Sequence, residues 1–271
     1  MSGNGLDRSA RIKLIALLAT EIVLLAVVTF FKPFESLGVS GQLLGMILTR
    51  GVGGILFAYL IHLLRIPVLN PFRNLSGMIP TDLILPFVIV LNNLPIECLI
   101  RGEGGVTQPF YVVLLLALEC FCIGLFEEMA FRGFFMTMML RRYHESKKQI
   151  CLVVIATSVL FGLVHMLNLF EGFGAFGQVM QQVGYSVLVG AMCAVVMLLT
   201  GNVWYAVLIH GMFDFCGMVL PVAGYGTWFY PLTIGITVGL VLIVGSYLTV
   251  RLIKTKKETV IMSLFAQDGR N

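Results

Sequence analysis

The chain has 271 residues, of which 58% are hydrophobic and 12% charged, with a formal net charge of +4 and a mean hydropathy of +0.96. Soluble domains carry roughly 25% charged residues, so a soluble globular protein is excluded, and a disordered or merely lipid-anchored one with it. The apolar runs are continuous and about helix length, which excludes an outer-membrane barrel, and the basic residues sit in short loops, so the charge implies no nucleic-acid partner.

Eight membrane spans are predicted in chain order, at 14–31, 43–64, 82–100, 109–140, 149–169, 179–200, 203–220 and 228–252. The first follows Arg8, Arg11 and Lys13 and precedes Phe-Lys-Pro-Phe with no small-residue cleavage site, so it reads as a retained signal anchor. The third is interrupted by Pro86, Asn92, Asn93 and Pro95, breaks that neighbouring helices can tolerate. The fourth is longer than a bilayer needs, so its end is expected to project into the interface. With the N-terminus inside, fourteen Lys and Arg fall in inside segments, and only Lys32 and Arg101 fall outside. The expected fold is all-α: one polytopic membrane helix bundle over 1–271, multi-pass in the cell membrane, both termini cytoplasmic.

Six cysteines form no Cys-x-x-Cys pair and are expected as small buried helix residues. Ser186-x-x-x-Gly190 and Gly235-x-x-x-Gly239 are small-residue pairs that permit close helix approach, within the bundle or in a dimer.

Ionisable groups inside a membrane are costly and mark function by default. Glu127 and Glu128 are adjacent in the fourth span, and Arg132 lies four residues after Glu128, so those two share a face and can pair. That leaves Glu127, ~100° away round the helix, without its local cation. Two carboxylates in unequal environments suit acid/base chemistry; the alternative is an ion-paired patch that locks helix packing. His165 follows Phe161-Gly-Leu-Val, and His210 and Asp214 are spaced so that the carboxylate can orient the imidazole. Counted at ~1.5 Å per residue from the cytoplasmic ends, Glu127 lies ~20 Å deep, His165 ~25 Å and His210 ~12 Å. They can line one cavity open to the cytoplasm. Glu21, Arg50, Glu97 and Glu119 read as interhelical polar pairs or cavity residues; His62 and His144 read as interfacial.

A carboxylate with a histidine can activate water, and a second polar group can stabilise an oxyanion. No Gly-x-Ser-x-Gly elbow, P-loop or dinucleotide fingerprint is present. Glu and His are acceptable zinc ligands, which leaves zinc open as an alternative, although His-Glu-x-x-His is absent.

Three elements in order, Glu127-Glu128-x-x-x-Arg132, Phe161-x-x-x-His165 and His210-x-x-x-Asp214, resemble the signature motifs of the CPBP (CAAX protease and bacteriocin-processing, or Abi) family. Its signature core would here span 110–220. The resemblance implies an eight-helix intramembrane glutamate endopeptidase, whose mechanism needs no metal, so no metal and no cofactor are expected, with zinc as the alternative. Glu127 would activate water with the help of His165, His210 with Asp214 would form the oxyanion site, and Glu128 and Arg132 would support that helix. The family's eukaryotic members usually carry Asn where this chain has Asp214. An ionised Asp accepts but does not donate, so Asp214 either holds His210 protonated or is itself protonated. The expected partner is a peptide or membrane-protein substrate. Competing readings are a non-catalytic membrane protein for bacteriocin self-immunity or scaffolding, and a proton-relay transporter, for which inverted repeats are not visible.

Overall fold

The computed structural model describes residues 33–72, 80–169 and 176–255 and part of 12–27. Half of the first predicted span, 14–31, lies outside the described residues, as do both termini; the described residues between 12 and 27 are helical.

The helices are α1 (Val39–Leu63), α2 (Thr81–Asn92), α3 (Ile96–Ile100) and α4 (Phe110–Glu128), which runs through a π-helix (Met129–Met136) into α5 (Thr137–Arg142). α6 (Lys147–Val164), α7 (Phe176–Thr200), α8 (Val203–Ala223) and α9 (Pro231–Lys254) follow, with a 3₁₀ turn at His165–Leu169. Six stretches are long and apolar enough to cross a membrane: α1, Phe110–Arg142, Lys147–Leu169, α7, α8 and α9.

The interrupted stretch 82–100 is divided between two helices, α2 and α3. α2 has 12 residues, ~18 Å at ~1.5 Å per residue, against a hydrocarbon core of ~30 Å. The chain breaks at Asn93–Pro95, where proline has no N–H to continue the ladder. Neighbouring helices satisfy the break. Asn93 Nδ2 donates to the Phe213 carbonyl at 2.7 Å, and the Asn92 amide donates to Thr237 Oγ1. Gly217 leaves the room, since a Cβ there would stand 2.7 Å from Asn93 Nδ2.

The fourth span is also not uniformly α-helical. Its π-helical turn carries Phe131 and Arg132, and Thr137 Oγ1 donates to the Arg132 carbonyl five residues back at 3.0 Å. Single π turns inside α-helices are frequent at functional sites. Helix starts follow ordinary capping. Ser146 accepts from Gln149 N at the head of α6, and Asn202 accepts from Trp204 N at the head of α8.

α4 is the central element, packed most extensively against α1 and α8. At the α4–α8 crossing the backbones touch. A Cβ on Gly124 would stand 2.7 Å from the Val207 carbonyl, and one on Gly211 2.9 Å from the Cys120 carbonyl. Gly54 plays the same part between α1 and α4, with a Cβ 2.6 Å from Leu125 Cγ and 3.0 Å from Phe126 N. The Ser186/Gly190 pair packs inward as expected, whereas a Cβ on Gly235 or Gly239 would meet nothing within 4 Å.

Connections sort to two ends. At one, Gly105–Val106 and Gly224–Tyr225 form a short antiparallel bridge, β1 with β2. At the other, Arg251 makes a forked pair with Asp82 (3.0 and 2.9 Å), Arg141 Nη2 donates to the Leu64 carbonyl at 2.9 Å, and Lys147 Nζ donates to the Ile253 carbonyl.

Candidate active site

The Gly124–Gly211 contact places Glu127 and Glu128, one turn on in α4, against His210 in α8. Glu128 is the hub. It is fully buried, and its Oε1 accepts from Arg132 Nη1 at 2.8 Å and meets His210 Nδ1 at 2.8 Å. An oxygen already serving a guanidinium is an acceptor, so Nδ1 carries the hydrogen and donates. Arg132 is equally buried, its guanidinium lying over the Phe161 ring with 4.3 Å to the centroid. Gly190 on α7 makes the space: a Cβ there would stand 2.6 Å from Arg132 Nη2 and 2.9 Å from Phe161 Cδ1.

The other imidazole nitrogen faces two carboxylates. His210 Nε2 is 3.4 Å from Asp214 Oδ2 and 3.7 Å from Glu127 Oε2. Glu127 and Asp214 side chains are 17% and 21% exposed, against 0% for Glu128. Glu127 Oε2 is a buried acceptor without a hydrogen-bond partner among the described residues. The unequal environments expected for the two adjacent glutamates are therefore present. One is locked between a guanidinium and an imidazole, and the other keeps a free lone pair beside Nε2.

His165 stands apart from the carboxylates. It heads the 3₁₀ turn after α6 rather than lying within a helix, and its Nδ1 bonds the Phe161 carbonyl at 2.9 Å. A carbonyl can only accept, so Nδ1 donates, which leaves Nε2 as an acceptor in the neutral ring. Phe161 packs edge-on against both imidazoles, with centroids 5.0 Å from His165 and 5.6 Å from His210. Among the described residues His165 makes no ion pair with a carboxylate; Phe161 is the link.

Glu127, Glu128, His210 and Asp214 thus form one contiguous cluster, joined by Arg132 through Glu128 and by His165 through Phe161. Motif reading gave Glu128 only to Arg132; its bond to His210 adds a second role that the spacing within one helix could not reveal. Gly124, Gly190 and Gly211 went unremarked as site-builders, although Gly211 sits inside the His210-Gly-Met-Phe-Asp214 string. Among the described residues no group of three or more His, Cys, Asp and Glu is arranged to hold a metal ion.

Of the remaining ionisable groups, Glu97 pairs with Arg101 at 2.8 Å and accepts from Thr233. His144 Nδ1 bonds the Leu140 carbonyl at 2.8 Å. Glu119 is 4% exposed, with Oε2 unbonded among the described residues.

Residues 109–216 match the family described as type II CAAX prenyl endopeptidase Rce1-like. This is the CAAX protease family that the three motifs resemble, and the matched span contains all of them. The match implies a protease, and together with six apolar helices it marks a multi-pass membrane protein. No curated protein and no solved structure matches the chain.

Proposed function

We propose that this chain, from its match to CAAX prenyl endopeptidases over 109–216, is an intramembrane glutamate endopeptidase. It hydrolyses a peptide bond of a membrane-associated peptide or protein in the cytoplasmic half of the bilayer. The observation that carries the reading is the pairing of an unbonded Glu127 carboxylate oxygen with the outward nitrogen of a fixed imidazole, 3.7 Å apart.

Glu127 takes a proton from a water, and that water's oxygen attacks the scissile carbonyl carbon. His165 Nε2 accepts the water's second hydrogen and orients it. His210, fixed by Glu128, donates from Nε2 in its protonated form to the oxyanion as it develops. Asp214 holds that hydrogen in place between turnovers. As the tetrahedral intermediate collapses, the C–N bond breaks and Glu127 passes its proton to the departing amine. No metal takes part.

The full topology is eight spans, with the 14–31 run and the broken 82–100 stretch completing the six, and both termini cytoplasmic. His210 then lies seven residues into α8, ~10 Å from its cytoplasmic end, which sets the side of cleavage.

The test is a membrane-peptidome comparison of cells carrying wild type, a deletion, or Glu127→Gln at matched expression. A precursor that accumulates in both the deletion and Glu127→Gln establishes proteolysis and names the substrate. Cleavage in isolated membranes should persist in 1,10-phenanthroline. A Glu127→Gln strain indistinguishable from wild type, where the deletion differs, makes the protein a binder and ends the catalytic reading.

A further inference from the structure

Tyr185 lies in the middle of α7 and belongs to none of the three motifs. Its ring packs against Phe213, with centroids 6.1 Å apart, and Phe213 is the chain neighbour of Asp214. One turn earlier on the same face of α7, Gln182 accepts from Asn168 Nδ2 at 2.8 Å, and Asn168 is in the 3₁₀ turn headed by His165. The helices also meet at Gly162, next to Phe161, where a Cβ would stand 2.8 Å from the Val183 carbonyl. Tyr185 is therefore held between the turn that carries His165 and the stretch of α8 that carries Asp214.

Depth agrees. α7 and α8 are joined by Gly201 and Asn202 and run in opposite directions, so Phe176 and Ala223 lie at one end. Tyr185 is nine residues from Phe176 and Asp214 nine residues from Ala223, each ~14 Å from that end. The phenol is within electrostatic reach of Asp214 and Glu127. Among the described residues its hydroxyl holds no hydrogen bond, and the residue is 41% exposed, open to an incoming substrate.

The site is short of donors where charge develops. Glu127 and Asp214, when ionised, only accept, and they repel an oxyanion. His210 Nε2 supplies one donor. A phenol keeps its hydrogen at neutral pH and can supply another, and preorganised donors aimed at a developing oxyanion are worth most in a water-poor site. We propose that Tyr185 is a further catalytic residue, whose hydroxyl donates a second hydrogen bond to the oxyanion beside His210 Nε2. The proposal rests on the endopeptidase reading above.

The experiment uses full-length protein in proteoliposomes and a library of N-terminally palmitoylated octapeptides, with cleavage read by mass spectrometry and Glu127→Gln as the blank. The best-cleaved peptide is remade with a phosphinate in place of the scissile amide, a stable mimic of the tetrahedral intermediate. Tyr185→Phe keeps the ring on Phe213 and removes only the hydroxyl, so it should melt like wild type. Its kcat should fall ~10²–10³-fold, and kcat/KM equally. Its inhibition constant for the phosphinate should rise by a comparable factor, because that ligand resembles the transition state. The intact peptide should bind Glu127→Gln and the double variant Glu127→Gln/Tyr185→Phe equally well. The inference is overturned if Tyr185→Phe cleaves like wild type, or binds the phosphinate like wild type. It is also overturned if the hydroxyl's loss weakens intact peptide and phosphinate to the same extent, because Tyr185 then only binds or packs. If wild type cleaves the library no better than the Glu127→Gln blank, the endopeptidase reading itself fails and the inference with it.

Discussion

Two glutamates adjacent in sequence differ in what removing their charge would do. Glu128 neutralised leaves Arg132, 1% exposed, with its charge uncompensated against Phe161. Breaking a buried ion pair from one side costs about 3–5 kcal/mol, because the remaining charge stays desolvated. Glu128→Gln and Arg132→Met should each lower the thermal midpoint in detergent by an amount consistent with that figure. Glu127→Gln should melt within about 0.5 kcal/mol of wild type, since its Oε2 has no bond to lose. If Glu128→Gln and Glu127→Gln melt alike, Glu128 does not anchor this site. The i,i+4 pairing of Glu128 with Arg132 was legible, since both residues lie on one helix. The bond from Glu128 to His210 was not, because it joins residues 82 positions apart, and no local periodicity encodes which two helices cross.

The crossing of α4 and α8 is set by glycine. Gly124 and Gly211 belong to no Gly-x-x-x-Gly pair, so the pattern that flags close approach passed over them. It picked out Gly235 and Gly239 instead, where an added Cβ meets nothing within 4 Å. Each lone glycine finds its partner on another helix, a relation invisible along the chain. The π-helical turn was likewise beyond a reading that assumes 3.6 residues per turn throughout, and the break at Asn93–Pro95 was visible as a run of breakers but not as a helix end. At this scale the consequence is functional before it is structural. Gly124→Ala puts a Cβ 2.7 Å from a backbone carbonyl, so the helices must separate. A displacement near 1 Å can cost ~10²-fold in rate when it moves reacting groups. Cleavage by Gly124→Ala should fall by about that factor while the protein still purifies as a folded species. Gly184→Ala, whose Cβ meets nothing within 4 Å, should cleave like wild type. Equal activity in the two variants would show that the α4–α8 contact does not position the site.

Over the described molecule, basic residues sort to one end of the bundle. The described Arg65, Arg141, Arg142, Lys147, Lys148, Arg251 and Lys254 gather at the end where α1 meets α5 and α9 meets α2. Arg101 lies at the opposite end with the β1–β2 bridge, its charge matched by Glu97. In the proposed topology the positive-inside rule puts the first end on the cytoplasmic side. In a Cys151→Ser background, a membrane-impermeant maleimide should label Thr107→Cys in intact cells and Glu145→Cys only after lysis; the remaining cysteines are buried. The reverse pattern would invert the bundle. Because α8 runs from Val203 toward Ala223, His210 lies in its first third. Inversion would therefore carry Glu127, His210 and Asp214 to the outer half of the bilayer and require a substrate presented from outside the cell. The labelling result thus decides from which side a peptide enters.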